Sequence, residues 1–401
     1  MHWLDCGDHP VARLRRSRNG SNMPVSDTET TGTTDLYSAN MAVLFSHHFE
    51  WSPRPGLQSY SAYDPVIDRA DADHLLGSAA PDTVFFSLEP IDNRLASLED
   101  ARSWPLLMTH YSVVDQYSGF LVMKKEKVAR PYEYGGVSAR SVTMFGQVVA
   151  VPDSQIIEAS ILVKPSFLGL IKRTFYKLPE INIRMTLNDG RVVEHRFIPS
   201  MSSEFMLSPY VSNTASWALT AAGLNNARVT SISLSTDNPA MYNPQIEMRF
   251  RGMKMAAQKE LRERLVAQPV EKIGMPFDAG RHADCAIDFI NGYLNSGAPI
   301  AVAGGVMRLS GWTAPDGKGG VGPEDAWIAL TGADGRSIFY HAKPSGREDV
   351  AKFFSHPEMK PPGINLTADV SALSGDYVVR VFASDGRSAS ECTQTARVAL
   401  H

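Results

Sequence analysis

No run of about 18 or more uninterrupted apolar residues occurs in the 401-residue sequence, so no segment reads as a membrane-spanning helix. The most apolar stretch, SILVKPSFLGLI at residues 160–171, is too short and contains Lys164 and Pro165. Charge of one sign is lacking too. The net charge of −4 argues against the strongly basic balance of a nucleic-acid-binding chain, and no nucleic acid partner is expected. Cysteine is scarce. Cys6, Cys285 and Cys392 show no CxxC spacing, which argues against a zinc or thioredoxin-like site. There is no HExxH pair, and the glycines at Gly304-Gly305 and Gly317-Lys318-Gly319-Gly320 lack the Lys and Ser/Thr spacing of a phosphate loop. His47, His48 and His74 have no supporting carboxylate cluster and read as surface histidines. Neither metal nor cofactor is expected.

What is present is ordinary globular composition. At 43% hydrophobic and 20% charged residues the chain can build cores, and its length suits about two to four domains. Thirty glycines and 25 prolines imply many turns, as in β-rich architecture. Residues 1–34 are polar and aperiodic and read as a disordered leader. Arg13, Arg15, Arg16 and Arg18 are followed by Asn-Gly-Ser-Asn, not by an apolar segment, so no signal peptide is expected in this chain.

The fold class expected is α+β, mostly β: a small α/β unit followed by two antiparallel β-sandwiches. The α/β unit covers residues 35–127. It should open with a helix at 36–48, followed by a loop forced by Ser52-Pro53-Arg54-Pro55-Gly56. Asp64 and Pro65 open a second helix, TVFFSL at 83–88 is the best core strand, a third helix covers 98–111, and 112–123 closes as a hairpin. This unit is small for an independent core, so it is expected to pack on something else. Residues 128–254 carry short alternating strands, with Asn188-Asp189-Gly190 as a hairpin signal, and read as a β-sandwich. Residues 255–279 read as a helical linker and 280–401 as an immunoglobulin-like β-sandwich. Cys285 and Cys392 lie near its two ends, where they are either a disulfide or two free thiols.

Two groups of residues stand out as candidate sites. Glu89, Asp92 and Arg94 follow the core strand, where functional side chains gather in α/β units; the alternative is a capped turn with an ion pair. A glycoside hydrolase would need two carboxylates about 5–10 Å apart beside a cleft. Trp51, Tyr60, Tyr63 and Trp104 offer aromatic faces for sugar rings, with Arg54, Gln58 and Ser59 as hydroxyl partners; the alternative is that they lock the loop onto its own domain. His282 and Asp284 beside Cys285 suggest a catalytic cysteine, but the sequence places no second base.

Three segments carry a likeness to a known group: RPGLQSYSAYDP at 54–65, APDTVFFSLEPIDNRLASLEDARSWPLL at 80–107, and GFLVMKK at 119–125. Here the chain resembles the extracytoplasmic portion of bacterial membrane proteins that occur with lipopolysaccharide, O-antigen and exopolysaccharide biosynthesis. Those proteins also carry a multi-spanning, glycosyltransferase-like region. The likeness continues at SILVKPSFLGLI and EFMLSPYVSNT, while CAIDFINGYL, LSGWTAPDG, GREDVAKFF and LSGDYVVRVFA resemble β-sandwich modules of similar envelope proteins. Arg54, Pro55, Gln58, Ser59, Tyr60, Tyr63, Pro90, Ile91, Asp92 and Arg94 match the motif. The sequence does not contain the multi-spanning region, so no catalytic residue is carried over from it. The resemblance implies an accessory envelope protein, periplasmic or membrane-associated. Its partners would be a surface polysaccharide or lipid-linked glycan and an integral membrane protein. A carbohydrate-active enzyme working at Glu89 and Asp92 is the alternative.

Overall fold

The computed structural model of the chain describes residues 32–37, 49–117, 119–302 and 305–401. It is mostly β, with 43% of residues in strands against 18% in helices, and falls into two compact units. One contains Ser17–Leu261 and the other Arg262–His401. Among the described residues no helix is long and apolar enough to cross a membrane.

In the first unit, strands β1 (Thr34–Tyr37), β2 (Thr83–Phe86), β3 (Tyr111–Tyr117) and β4 (Phe120–Lys125) form a sheet in the order β1-β2-β4-β3. Only the β1–β2 pair is parallel. The helix expected at 36–48 is corrected at its start: Leu36 and Tyr37 belong to β1, and 38–48, with His47 and His48, lie outside the described residues. The apolar spacing of this stretch serves a strand because TDLY lies beside the buried TVFF strand and completes its hydrogen bonding. Helix α1 (Pro65–Leu76) begins as its sequence dictates, with the Asp64 side chain accepting from the Val66 N–H and Pro65 in the first turn. Helix α2 (Ser103–His110) is shorter than the expected 98–111, and residues 103 to 109 are all buried, so it is a core helix and not an amphipathic one.

The remainder of this unit holds two four-stranded sheets. One runs β10-β7-β12-β5, with β5 (Tyr132–Thr143), β7 (Ile156–Leu162), β10 (Phe205–Ser208) and β12 (Ile246–Met255). The other runs β6-β11-β8-β9, with β6 (Val149–Ala150), β8 (Ile181–Leu187), β9 (Val192–Phe197) and β11 (Val229–Thr236). Period-two alternation explains the core. Ile181, Ile183, Met185 and Leu187 point one way from β8 and share a buried cluster with Ile157, Ala159 and Ile161 of β7 and Met248 and Phe250 of β12. Helices α3 (Phe167–Phe175), α4 (Thr214–Ala221) and α5 (Lys259–Leu265) interrupt the strands. The helical linker expected from 255 is confined to α5 and its flanks, because β12 continues to Met255.

The small sheet packs on this body. Trp217 of α4 lies 4.4 Å from Phe86, which stacks at 4.9 Å on Tyr37. The Gln258 side chain donates to the Met108 and Tyr111 carbonyls and accepts from the Val113 N–H. Burying aromatic rings across this contact supplies the apolar area that a four-stranded sheet with two helices lacks alone.

The second unit is one twelve-stranded sheet, with β13 (Pro269–Val270), β14 (Phe277–Ile290), β15 (Tyr293–Leu294), β16 (Ile300–Val302), β17 (Val306–Ala314), β18 (Asp325–Gly332), β19 (Ser337–His341), β20 (Lys343–Ser345), β21 (Gly363–Asp369), β22 (Gly375–Ser384), β23 (Ala389–Cys392) and β24 (Ala396–Leu400). The main path runs β13-β19-β18-β22-β23-β14-β17-β21-β20. Met307 and Leu309 of β17 share a core with Ile328 and Leu330 of β18, far away in that order, so the sheet curls until its two arms face each other. Helix α6 (Glu348–Phe353) lies between β20 and β21. Cys285 of β14 and Cys392 of β23 are joined as a disulfide with Cα atoms 5.9 Å apart, across neighbouring parallel strands. With its sulfur so engaged, Cys285 has no thiol to offer catalysis beside His282 and Asp284.

Candidate functional site

The loop at 51–63 leads into α1, and two buried arginines, Arg54 within it and Arg94 beyond it, hold it in place. Arg54, 3% exposed, donates from Nε to the Gly56 carbonyl at 2.9 Å and from Nη2 to the Leu36 carbonyl at 3.3 Å. Its guanidinium lies 4.1 Å over the Tyr37 ring and 3.5 Å from Asp100 Oδ2. Arg94 donates from Nη1 to the Tyr60 carbonyl at 3.1 Å and from Nη2 to the Tyr63 hydroxyl, and it sits 4.9 Å over the Tyr63 ring. A planar, multiply donating, always charged group suits both positions, since several loop carbonyls must be satisfied at once.

Around Arg54 the carboxylates outnumber the cation. Asp35, Asp71 and Asp100 all act on it, and Asp71 and Asp100 are wholly buried. Asp35 accepts from the Trp51 indole N–H at 3.2 Å, Asp71 from the Gly56 N–H at 2.6 Å, and Asp100 from the Ser103 hydroxyl at 2.8 Å. Burial pushes the Asp100 carboxyl up to about 8 against the pull of Arg54, and pushes Asp71 up as well. The second oxygen of Asp71 is buried with no hydrogen-bond partner. A Cβ at Gly56 would overlap that oxygen, so the close approach of loop to helix requires glycine there.

A second group surrounds Arg94. Asp92 Oδ2 lies 3.7 Å from Arg94 and 3.4 Å from Arg196. Asp92 and Asn93 take positive φ angles of 52° and 53°, a conformation that Asp and Asn tolerate, and this turns Arg94 back under the loop. Glu99 is 1% exposed; burial raises its carboxyl to about 7, although Arg94 and the Ile91 N–H favour the charged form. One Glu99 oxygen has no hydrogen-bond partner.

Above this layer the loop forms an open depression of about 520 Å3 lined by Pro55, Gly56, Leu57, Gln58, Ser61 and Ile67. It is mainly apolar, with Gln58, which accepts from the Tyr60 hydroxyl, as its largest polar group. Gln58 is thus the one sequence-nominated binding residue in its wall. Tyr63 is exposed nearby and Tyr60 is half-buried, whereas Trp51 is half-buried with its N–H committed to Asp35.

Three expectations are corrected here. Trp104 cannot stack on a sugar, being fully buried with its N–H donating to the Tyr37 hydroxyl at 3.1 Å. Arg54 and Ser59 are buried and do not reach a ligand's hydroxyls. Glu89 and Asp92 do not line the depression; Glu89 accepts from Ser87 at 3.4 Å and Asp92 points to solvent between two arginines. Of the three strand-end residues, Asp92 and Arg94 form an ion pair, while Glu89 is hydrogen-bonded to Ser87.

Sequence reasoning missed Asp35, Asp71, Glu99 and Asp100. A signal existed for α1: its buried stripe is Asp68, Asp71, Ala72 and Leu75, so two carboxylates occupy the apolar spacing i, i+3, i+4, i+7. Among the described residues no group of three or more His, Cys, Asp or Glu is placed to hold a metal ion. When the chain is compared with known proteins, no family model and no curated protein matches it.

Proposed function

We propose that this chain is an accessory, non-catalytic protein of bacterial lipopolysaccharide, O-antigen or other surface-polysaccharide biosynthesis, acting in the cell envelope as a glycan- or partner-binding module. The observation that carries the binding role is the depression at 55–67. Its loop is fixed in advance by Arg54 and Arg94, so a ligand need not order it on arrival. Leu57 and Ile67 provide the apolar area against which a sugar face packs, and Gln58 provides hydrogen-bonding capacity. The envelope assignment rests on the resemblance at 54–65 and 80–107, and the Cys285–Cys392 disulfide suits an oxidising compartment. In this reading the two four-stranded sheets of the first unit are a β-sandwich, supported by their shared core. The curled sheet of the second unit is an immunoglobulin-like module, supported by its facing arms.

The raised carboxyls of Glu99 and Asp100 are the feature that favours the second reading, a carbohydrate-active enzyme. At 1% and 0% exposure neither touches a substrate without the loop opening. The test is a glycan array followed by calorimetry on the full chain. Binding of a surface-polysaccharide fragment is expected, with loss in a Leu57→Asp, Gln58→Ala variant of unchanged melting temperature. A folded wild-type chain that binds no array glycan overturns the glycan-binding role, and one that cleaves a glycan overturns the non-catalytic one.

A further inference from the structure

Helix α3 is at odds with its surroundings. Its hold on the body is at its first turn. Ser166 accepts from the Gly169 N–H at 3.1 Å and donates to the Ala240 carbonyl at 2.7 Å, and its own N–H donates to the Met241 carbonyl at 3.0 Å. Gly169 is the one buried residue of the helix, and a Cβ there would overlap the Met241 carbonyl oxygen. Everything apolar beyond that anchor faces out. Phe167 is 77% and Phe175 76% exposed, and Leu168, Leu170, Ile171 and Tyr176 are exposed with them. Contiguous large apolar side chains left in water over a whole helix call for something that covers them.

The charge around the helix indicates what. From residue 159 to 179 there is no Asp or Glu, while Lys164, Lys172, Arg173 and Lys177 flank the aromatic and aliphatic residues. The first acid on either side is Glu158 or Glu180. An apolar face rich in Phe and Leu, whose own stretch of sequence carries cations and no acid, matches the chemistry of a helix lying in the headgroup layer of an anionic bilayer. A Tyr at the boundary and Lys stems long enough to reach headgroups fit the same placement. The turn holding exposed Met144 and Val148 lies at the same end of the sheets, since Phe145 packs at 5.6 Å on Tyr242, which bridges to Pro165.

We propose that residues 164–177 dock this protein on the surface of an anionic lipid bilayer, with α3 lying in the interface and not crossing it. The proposal stands on residues remote in sequence from the glycan-binding depression and does not rest on that reading. Sedimentation of the full chain with vesicles tests it. Vesicles of phosphatidylcholine containing one third phosphatidylglycerol are expected to bind the chain much more tightly than phosphatidylcholine alone, and added salt to weaken that binding. Removing exposed charge with Arg173→Gln and Lys177→Gln should weaken it about 25-fold, at about fivefold per cation. Phe167→Ser with Phe175→Ser should weaken binding to both vesicle types by roughly tenfold or more at unchanged melting temperature. A wild-type chain that ignores anionic vesicles overturns the proposal. So do variants that bind like wild type, or wild-type dimerisation through Phe167 and Phe175 without vesicle binding.

Discussion

Glu99 offers the sharpest test of the buried charge layer. Its carboxyl is raised from 4.5 to about 7, chiefly by burial. The unfolded chain therefore gives up this proton near pH 4.5, whereas the folded protein keeps it until about pH 7. Between those values the folded state binds more protons, so this group's contribution to stability is fully present below pH 4.5 and is lost as pH rises through 7. At about 1.4 kcal/mol per unit, the loss between pH 5 and pH 8 is about 2–3 kcal/mol. Glu99→Gln keeps the shape and the acceptor for the Ile91 N–H but behaves as the protonated form at every pH. The variant should unfold near wild type at pH 5 and be more stable by about 2–3 kcal/mol at pH 8. Urea unfolding followed by tryptophan fluorescence reads both, since Trp104 and Trp217 are fully buried in the same unit. Asp68 and Asp100, raised to about 6 and about 8, titrate in both proteins and cancel in the difference. Parallel stability curves for wild type and variant from pH 5 to pH 8 would refute the assignment.

Arg54→Met leaves Asp35, Asp71 and Asp100 buried without their cation, and should lower the unfolding free energy measured in urea by about 3–5 kcal/mol. Ile183→Ala removes a wholly buried side chain from the core between the two four-stranded sheets and should cost about 2–5 kcal/mol by the same measure. Alkylation in denaturant should leave Cys285 and Cys392 unlabelled without reductant and label both with it. Cys285→Ser with Cys392→Ser should lower the stability of the second unit by roughly 2–5 kcal/mol, seen as a fall in its melting temperature.

The strands that alternate were legible and the segments that depend on partners were not. INIRMTL and VVEHRF, separated by Asn188-Asp189-Gly190, announce a hairpin by period and turn chemistry, and β8 and β9 pair as those rules require. TDLY has no period of its own; it is a strand because Val84 and Phe85 lie beside it. Helix α4 was not anticipated, since ASWALTA is short and apolar, and its helix is fixed by the Asn213–Ser216 capping box and by burial of Trp217. SILVKPSFLGLI invites comparison with a membrane span and fails for length, and the same residues form an amphipathic helix beyond Pro165. At the candidate site the aromatic loop and the strand-end charges were visible, but their roles were not. Whether Arg54 faces solvent or Tyr37 depends on contacts across the sheet, which residue spacing along the loop does not encode.

The residues that carry the resemblance can now be read by what they do. Arg54 and Arg94 clamp the loop, the Tyr60 carbonyl and Tyr63 ring receive Arg94, Ser59 is buried, and Asp92 pairs with Arg94. Gln58, the remaining polar side chain of RPGLQSY that borders the depression, lies between the two clamps. Most of these residues therefore build and hold the loop. If the depression binds a ligand as proposed, discrimination between ligands falls to its wall at Leu57, Gln58, Ser61 and Ile67, none of which makes the contacts that Arg54 and Arg94 use to hold the loop.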